Sequence, residues 1–321
     1  MKVVILHGED ALEPPVDPVI EQVTRALQAG GHDAETLGVA TEIEPVVHEL
    51  RARQPDLVFN LTESFRDKSA LDSNLAALLN LLGLHYTGSS PSGLILAGDK
   101  SLSKKMLRFH RIATPDFATV FRGALDHAGE LRFPVIVKPP QEDASIGISD
   151  RSVVHDLASL LRRIDELQDA YRSPVLVEEF VDGREFYVGV LGNAHAEALP
   201  VIELEFAVGA AHPNRIASFD VKWSESRQGD TRSVFPADLP DAMVLQMQRM
   251  AMESFHALRL RDYARIDMRL NQRGEIFVIE ANPNCYLERN GEFARAAERA
   301  GITYDALIER LVVLATARYA R

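Results

Sequence analysis

Residues 265–290 read RIDMRLNQRGEIFVIEANPNCYLERN, and this stretch decides how the rest of the chain is organised. Ile266–Leu270 alternates charged and apolar side chains, Asn271-Gln272-Arg273-Gly274 has turn chemistry, and Glu275–Glu280 returns apolar-rich. That pattern predicts a β-hairpin. If Leu270 faces Glu275 across the turn, Arg265 falls opposite Glu280 and Asp267 opposite Val278. With a side-chain period of two, Arg265, Asp267 and Glu280 share one face, with Asp267 and Glu280 as diagonal neighbours about 7–8 Å apart. Asn282 follows at the strand exit, before Pro283 ends regular pairing. Two carboxylates and an amide oxygen are hard donors of the kind Mg²⁺ takes, with phosphate oxygens and water completing its octahedron. A solvated charged face on an ordinary hairpin has the same local sequence, so the assignment depends on what the rest of the chain supplies.

A chain of 321 residues exceeds one average domain, so two or three packed units are expected. With 46% hydrophobic and 26% charged residues it has the composition of a soluble globular protein with a full core. A net charge of −12 argues against a polyanion-binding surface and hence against nucleic acid as a partner. A nucleotide remains compatible, because metal ions and a few lysines neutralise phosphates locally. The single cysteine, Cys285, excludes an internal disulfide and fits a reducing compartment. The opening MKVVILHGED reads as a strand rather than a signal peptide, and no long uncharged apolar run follows, so a cytoplasmic protein with no membrane partner is expected.

From the amino end, strands at Lys2–Leu6, Glu35–Leu37 and Asp56–Leu61 alternate with helices. The helices begin at Asp17-Pro18, an N-cap and N1 pair, and cover Pro45–Arg53 and Ala70–Leu82. Alternating β and α implies a parallel sheet, whose ligands sit beyond the carboxyl ends of the strands, here His7-Gly8-Glu9 and Asn60–Glu63. Gly98-Asp99-Lys100 opens a basic helix, Ser101–His110. Val135–Val137 reads as a buried strand, Asp156–Leu167 as a helix, Val175–Val177 as a second buried strand and Arg184–Leu191 as a third, with another to about Val201. Glu203–Phe235 reads as irregular, with a candidate strand at Ile216–Val221. Helices at Ala242–Leu258, Gly291–Ala300 and Tyr304–Arg318 complete the chain.

Lys138 ends an apolar run, where a charge is costly to bury unless paired; a phosphate ligand and a snorkelling strand-end lysine both satisfy that. The polar loop Gln141–Ser149 has neither GxxxxGK nor GxGxxG spacing, so it is no P-loop and no dinucleotide fingerprint. Beside a lysine, it suits a flap over phosphates. Glu178 and Glu179 follow a buried strand, and a carboxylate next to Phe180 could receive an adenine amine.

Four segments together carry a resemblance: LLGLHYTGSSPSGLILAGDKSLSKKML, FPVIVKPPQEDASIGIS, VLVEEFVDGREFYVGVLG and ARIDMRLNQRGEIFVIEANPN. From about Leu81 onward the chain resembles the ATP-grasp carboxylate–amine ligases, and within them the D-alanine–D-alanine ligase group. The resemblance implies an α/β fold of three units: an N-terminal parallel-sheet domain (1–96), a small central α+β subdomain (97–181) and a C-terminal α+β subdomain (182–321), with nucleotide between the last two. It also implies ATP with Mg²⁺, or Mn²⁺ in its place, small carboxylate and amine substrates, and a homodimer. Position by position, Lys100 and Lys138 look like the lysines that hold the phosphates, with Ser145 in the flap. Glu178 looks like the hinge carboxylate at the adenine, Phe180 and Val181 like its ring and backbone contacts, and Glu185 like the ribose ligand. Asp267, Glu280 and Asn282 match the metal ligands, in agreement with the face argument. Arg265 matches the arginine that stabilises the tetrahedral intermediate, and Lys222 matches a further phosphate lysine.

The chain also departs from that family. The flap reads Asp143-Ala144-Ser145-Ile146-Gly147, with Ala144 where a substrate-holding serine stands in the relatives. The N-terminal glycine-rich motif with its acidic ligand is missing; Glu9 and Glu63 are the candidate substitutes. Pro283-Asn284-Cys285-Tyr286 replaces a Ser-Pro-Gly turn, and Leu287–Glu292 does not reproduce the second-substrate contacts. Arg289 reads either as a substrate-carboxylate clamp or as a surface arginine, and Cys285 as an inert buried thiol. The expectation is therefore a ligase whose substrates are not two D-alanines. D-alanine–D-alanine ligase itself and a nucleotide-binding module without turnover are the alternatives.

Overall fold

The computed structural model describes residues 1–8, 17–66, 68–142, 145–171, 174–207, 214, 216 and 230–320. β1 (Lys2–Gly8), β2 (Asp33–Val39) and β3 (Leu57–Asn60) form a parallel sheet in the order β2-β1-β3. Val3 to Leu6 are buried without alternation because helices cover both faces. Val3 and Ile5 face α1 (Pro18–Ala29), whereas Val4 and Leu6 pack toward α2 (Glu44–Arg53) and α3 (Asp72–Leu81). Asp17 caps α1, its Oδ1 accepting the Val19 N–H at 2.9 Å, as the Asp-Pro pair predicts.

α4 (Pro91–Gly98) is a helix that the sequence reading lacks, although Ser90-Pro91 carries an N-cap signal for it. Asp99 ends α4 and caps α5 (Lys100–Phe109), its Oδ1 accepting from the N–H groups of Ser101 and Leu102. The central sheet is antiparallel: β4 (Phe117–Phe121), β5 (Ala124–Ala128), β6 (Val135–Lys138), β7 (Val153–Val154) and β8 (Val175–Glu179), in the order β5-β4-β8-β6-β7. β4 and β5 form a hairpin absent from the sequence reading. One face of this sheet, with Val135, Val137, Val175 and Val177, is covered by α6 (Leu157–Tyr171). The other, with Ile136 and Val153, turns toward Ile216 and Phe180.

The third sheet is antiparallel and ordered β12-β11-β9-β13-β14, with β10 beside β9. Its strands are β9 (Gly183–Gly192), β10 (Glu197–Ala198), β11 (Ile202–Phe206), β12 (Thr231–Val234), β13 (Asp262–Asn271) and β14 (Ile276–Pro283). The strand expected up to Val201 shrinks to β10, and the region read as irregular contains β11 and β12. β11 alternates Ile202, Leu204 and Phe206 with Glu203 and Glu205, a period-two signal masked by its acidic content. Of the candidate strand at Ile216–Val221, residues 217–221 lie outside the described residues. α7 (Asp241–Ala257) covers the face with Phe186, Val188, Ile266 and Met268. α8 (Glu292–Arg299) and α9 (Tyr304–Ala317) cover part of the opposite face, and one core joins Tyr187, Leu191 and Tyr263 to α1, Val3 and Phe59.

The hairpin register differs from the expected one. Leu270 pairs with Ile276 and Met268 with Val278; a β-bulge at Ile279 then sets Asp267 opposite Glu280 and Arg265 opposite Asn282. Without the bulge, that register would place Glu280 opposite Ile266, on the face that packs on α7. The bulge is held from outside the sheet. The Val278 N–H donates to the Ala113 carbonyl at 2.9 Å, and the Val278 carbonyl accepts from Thr114 Oγ1 at 2.9 Å.

Candidate active site

β13 presents Arg265, Asp267 and Arg269 on one face, and β9 adds Tyr187 opposite Asp267 and Glu185 opposite Arg269. With Glu280 as the cross-strand partner of Asp267, these side chains floor a cleft whose roof is the central sheet, with Lys138, Glu178 and the flap residue Ser145. Lys100 enters it from the first turn of α5. Its backbone N–H is fixed on the Pro140 carbonyl at 2.9 Å, and its Nζ reaches Glu280 Oε1 and the Glu142 carbonyl, each at 2.6 Å. The structure therefore brings together Lys100, Lys138, Ser145, Glu178, Phe180, Val181, Glu185, Arg265, Asp267, Glu280 and Asn282. Lys222, Glu9, Asp143 and Ala144 lie outside the described residues.

Asp267 is buried and chelated by Arg265, whose Nε and Nη2 donate to Oδ1 and Oδ2 at 2.7 and 2.9 Å. The guanidinium also stacks 4.6 Å above the Tyr187 ring. Burial alone would disfavour its charge, but Asp267, with Glu292 behind it, raises the arginine well above its ordinary range. Asn282 donates its amide nitrogen to the Arg265 carbonyl at 3.4 Å, which turns its oxygen away from the β13 backbone. These residues fit Mg²⁺: the donors are two carboxylates and an amide oxygen, each carboxylate already matched by a cation. Among the described residues no group of three or more His, Cys, Asp or Glu is placed to hold a metal. A Mg²⁺ bound there would take its remaining oxygens from substrate phosphates and water.

Behind Lys100 and Lys138 lies a buried charge cluster that the sequence alone does not announce. Glu178, only 2% exposed, accepts from Lys138 Nζ at 2.7 Å on Oε1 and lies 2.7 Å from Lys104 Nζ on Oε2. Burial would raise the Glu178 carboxyl, but Lys104 and Lys138 outweigh it and hold the group below its usual range. Lys104 has no exposure; desolvation lowers its ammonium to about 8 against the pull of Glu178. Lys104 Nζ also donates to Thr114 Oγ1 at 2.9 Å, so the cluster is tied to the bulge that aims Glu280. As Lys104 follows Lys100 by one helical turn, the periodicity placing both on one face was readable, but its partner lies 74 positions away.

Arg269, also missed, organises the cleft's outer end. It donates to the Val181 carbonyl at 2.9 Å and to Glu185 Oε2 at 3.1 Å, and its guanidinium lies 5.2 Å from the Phe180 ring. Glu185 Oε1 accepts from the Tyr187 hydroxyl at 2.9 Å. The 265-267-269 alternation was the available signal. Cys285 is buried, in the core shared with Tyr263 and Phe293, and that burial pushes its thiol up. Arg289 lies over the Tyr304 ring at 4.5 Å with Asp305 at 3.4 Å, half-exposed at the seam with α1. Glu63 is exposed beyond β3.

A deep oxygen-rich cleft between two antiparallel sheets, lined by buried lysines, is that of a nucleotide-dependent phosphoryl-transfer enzyme with the ATP-grasp fold. Residues 108–313 match the family described as the D-ala D-ala ligase C-terminus. A protein of uncharacterised function from Sinorhizobium fredii is 34% identical over 95% of this chain and 89% of its own length. D-alanine–D-alanine ligases from Cupriavidus pinatubonensis and Pelotomaculum thermopropionicum are 32% and 29% identical, each over 98% of this chain and over 92% and 96% of their own lengths. The crystal structure of D-alanine–D-alanine ligase from Bacillus anthracis complexed with ATP superposes with a TM-score of 0.76 at 21% identity, covering 99% of this chain and 98% of that one, a likeness of fold. The chain belongs to the D-alanine–D-alanine ligase family. It is an ATP-dependent carboxylate–amine ligase.

Proposed function

We propose that the enzyme transfers the γ-phosphoryl group of ATP to a small carboxylate and couples the resulting acyl phosphate to an amine, releasing ADP and phosphate. The observation that supports this most is the cross-strand pair Asp267–Glu280 in one cleft with Lys138 and, through Glu280, with Lys100. Mg²⁺ or Mn²⁺ held by Asp267, Glu280 and Asn282 would neutralise phosphate charge during transfer. Lys100 and Lys138 bind the phosphates beneath Ser145, and Lys222 is assigned the same task from the resemblance alone. Phe180 and Val181 receive the adenine, Glu178 fixes Lys138 beside it, and Glu185 takes the ribose hydroxyls. Arg265 meets the oxyanion that forms when the amine attacks. Three units, 1–96, 97–181 and 182–321, are proposed, each holding one sheet. Exposed Leu81, Ile95, Leu102 and Phe109 support a homodimer, and the buried reduced cysteine supports a cytoplasmic setting.

The test is a carboxylate panel with ATP, Mg²⁺ and hydroxylamine as the trapping amine. The true donor gives hydroxamate and ADP in equal amounts, dependent on Mg²⁺ and lost in Glu280→Ala. ATP binding with no hydroxamate and no ADP release across the panel leaves only a nucleotide-binding module. The named relatives favour a narrower second reading, in which both substrates are D-alanine. Dipeptide formed from D-alanine alone supports that reading, and its absence in an enzyme that makes hydroxamate removes it.

A further inference from the structure

We infer that Tyr187 and Arg269 lock Glu185 into a rigid two-oxygen receptor for a vicinal diol, and so make the enzyme select a ribonucleoside triphosphate over its deoxy counterparts. Both are positioning residues, acting through Glu185. The inference rests on the reading above of Glu185 as the ribose ligand, with Phe180 and Val181 at the adenine.

Strand register brings the three side chains together. Glu185 and Tyr187 stand two apart on β9, and β13 sets Arg269 opposite Glu185 and Asp267 opposite Tyr187, so all four share the cleft face. Each Glu185 oxygen then has its own donor. The Tyr187 hydroxyl donates to Oε1 at 2.9 Å, and Arg269 approaches Oε2 with Nη2 at 3.1 Å and Nε at 3.3 Å. Neither donor is loose. Tyr187 is buried in the core with Leu191 and Tyr263, and the Arg265 guanidinium lies 4.6 Å from its ring. Arg269, also buried, donates from Nη1 to the Val181 carbonyl at 2.9 Å, and its guanidinium lies 5.2 Å from the Phe180 ring.

A free glutamate loses rotamer entropy when a ligand orders it. Here the ordering precedes the nucleotide. An ionised carboxylate has about four lone-pair sites, so one donor side chain on each oxygen leaves each a further acceptor site. Glu185 keeps part of its surface open to the cleft. Two oxygens fixed in one plane match two neighbouring hydroxyls on one ring. Arg269 adds a spacing: one guanidinium joins Glu185 to the Val181 carbonyl, so the distance from the adenine contacts to the diol receptor is set by a single side chain. A nucleotide lacking one hydroxyl leaves part of this charged, half-buried acceptor unmatched, which is the costly way to lose a hydrogen bond.

Titration calorimetry of the intact chain with ATP, 2′-deoxy-ATP and 3′-deoxy-ATP in Mg²⁺ tests this without requiring turnover. Hydrogen bonds to a charged group are worth a factor of about ten or more in affinity, so both deoxy nucleotides should bind at least about tenfold more weakly than ATP. Tyr187→Phe keeps the ring and removes only the hydroxyl, and Arg269→Lys keeps a cation but loses the fork. In each, the ratio of deoxy-nucleotide Kd to ATP Kd should fall at least about threefold, whereas a purely structural loss would weaken all three nucleotides alike. Glu185→Ala should bring the ratio close to one. A wild-type ratio near one, or a ratio unchanged in either Tyr187→Phe or Arg269→Lys while Glu185→Ala abolishes the preference, overturns the inference and leaves the ligase reading intact. A preference that survives Glu185→Ala removes Glu185 from the ribose, and the inference with it. No binding of ATP at all sinks the nucleotide reading itself. If one positioning variant fails to fold, the other decides.

Discussion

Replacing Lys104 by Met separates the two reasons for keeping a buried lysine. The fall of its ammonium from 10.5 to about 8 means that Glu178 does not recover the full cost of desolvation. At about 1.36 kcal/mol per pH unit, the shortfall is roughly 3 kcal/mol at neutral pH. Removing Lys104 relieves that burden but strips Glu178 of one cation and Thr114 of its donor, a loss of about 3–5 kcal/mol if the carboxylate were left wholly uncompensated. It is not, because Lys138 remains at 2.7 Å. The two contributions nearly cancel, so Lys104→Met should change stability by less than about 2 kcal/mol. Function should fall further. Glu178 orients Lys138, and Thr114 holds the Val278 carbonyl at the bulge, so the KM for ATP should rise at least tenfold while kcat falls less. Glu178→Gln is the control: it leaves two buried ammonium groups facing each other and should lose about 3–5 kcal/mol. Urea unfolding and initial rates at varied ATP make the comparison. A Lys104→Met protein with unchanged KM for ATP, or one destabilised more than Glu178→Gln, refutes this account of the cluster.

The same cluster predicts a pH effect. Below about pH 8 Lys104 is charged in both states and its burial cost is fully present; from there toward 10.5 the folded protein releases the proton that the unfolded chain keeps, so stability rises with pH. Relative to Lys104→Met, the wild type should gain up to about 3 kcal/mol across that window in urea midpoints, with Glu178, Lys138 and Glu280 as the facing charges. Arg265→Ala should lower kcat by roughly 10²–10³ with a small change in the KM for ATP, as expected for an oxyanion donor; an equal loss in nucleotide binding would reassign it. Cys285 should resist iodoacetamide in the native enzyme, and rapid alkylation with loss of activity would contradict its burial. Asp262, fully buried, holds Arg318 and accepts the Gly88 N–H at 2.8 Å, so Asp262→Ala should cost about 3–5 kcal/mol in thermal or urea unfolding.

What could be read from the sequence, and what could not, divides along the range of the interactions. Elements set by local chemistry were legible: the Asp17-Pro18 start of α1, the Asp99 cap of α5 and the apolar strands β1, β3, β6 and β8. Strands that exist only through pairing were not. β12 gains its place from β11, and β11 hides its apolar alternation among glutamates. The hairpin is the sharper case. Counting alternation from the turn put Asp267 and Glu280 on one face, as the structure has them, but with the pairing off by one at the turn and by two beyond the bulge. The true register starts at Leu270–Ile276, which alone would turn Glu280 into the core under α7, and the Ile279 bulge restores it. Nothing within residues 265–290 announces that bulge, because its hydrogen bonds come from Ala113 and Thr114, more than 160 positions earlier. The same segment, 113–114, receives Lys104, whose partner Glu178 holds Lys138. Glu280, the hairpin register and Lys138 thus depend on one connection between α5 and β4. A change there, such as Thr114→Val, which keeps the shape but removes both hydrogen bonds of the hydroxyl, should disturb Glu280 and Lys138 together rather than either alone.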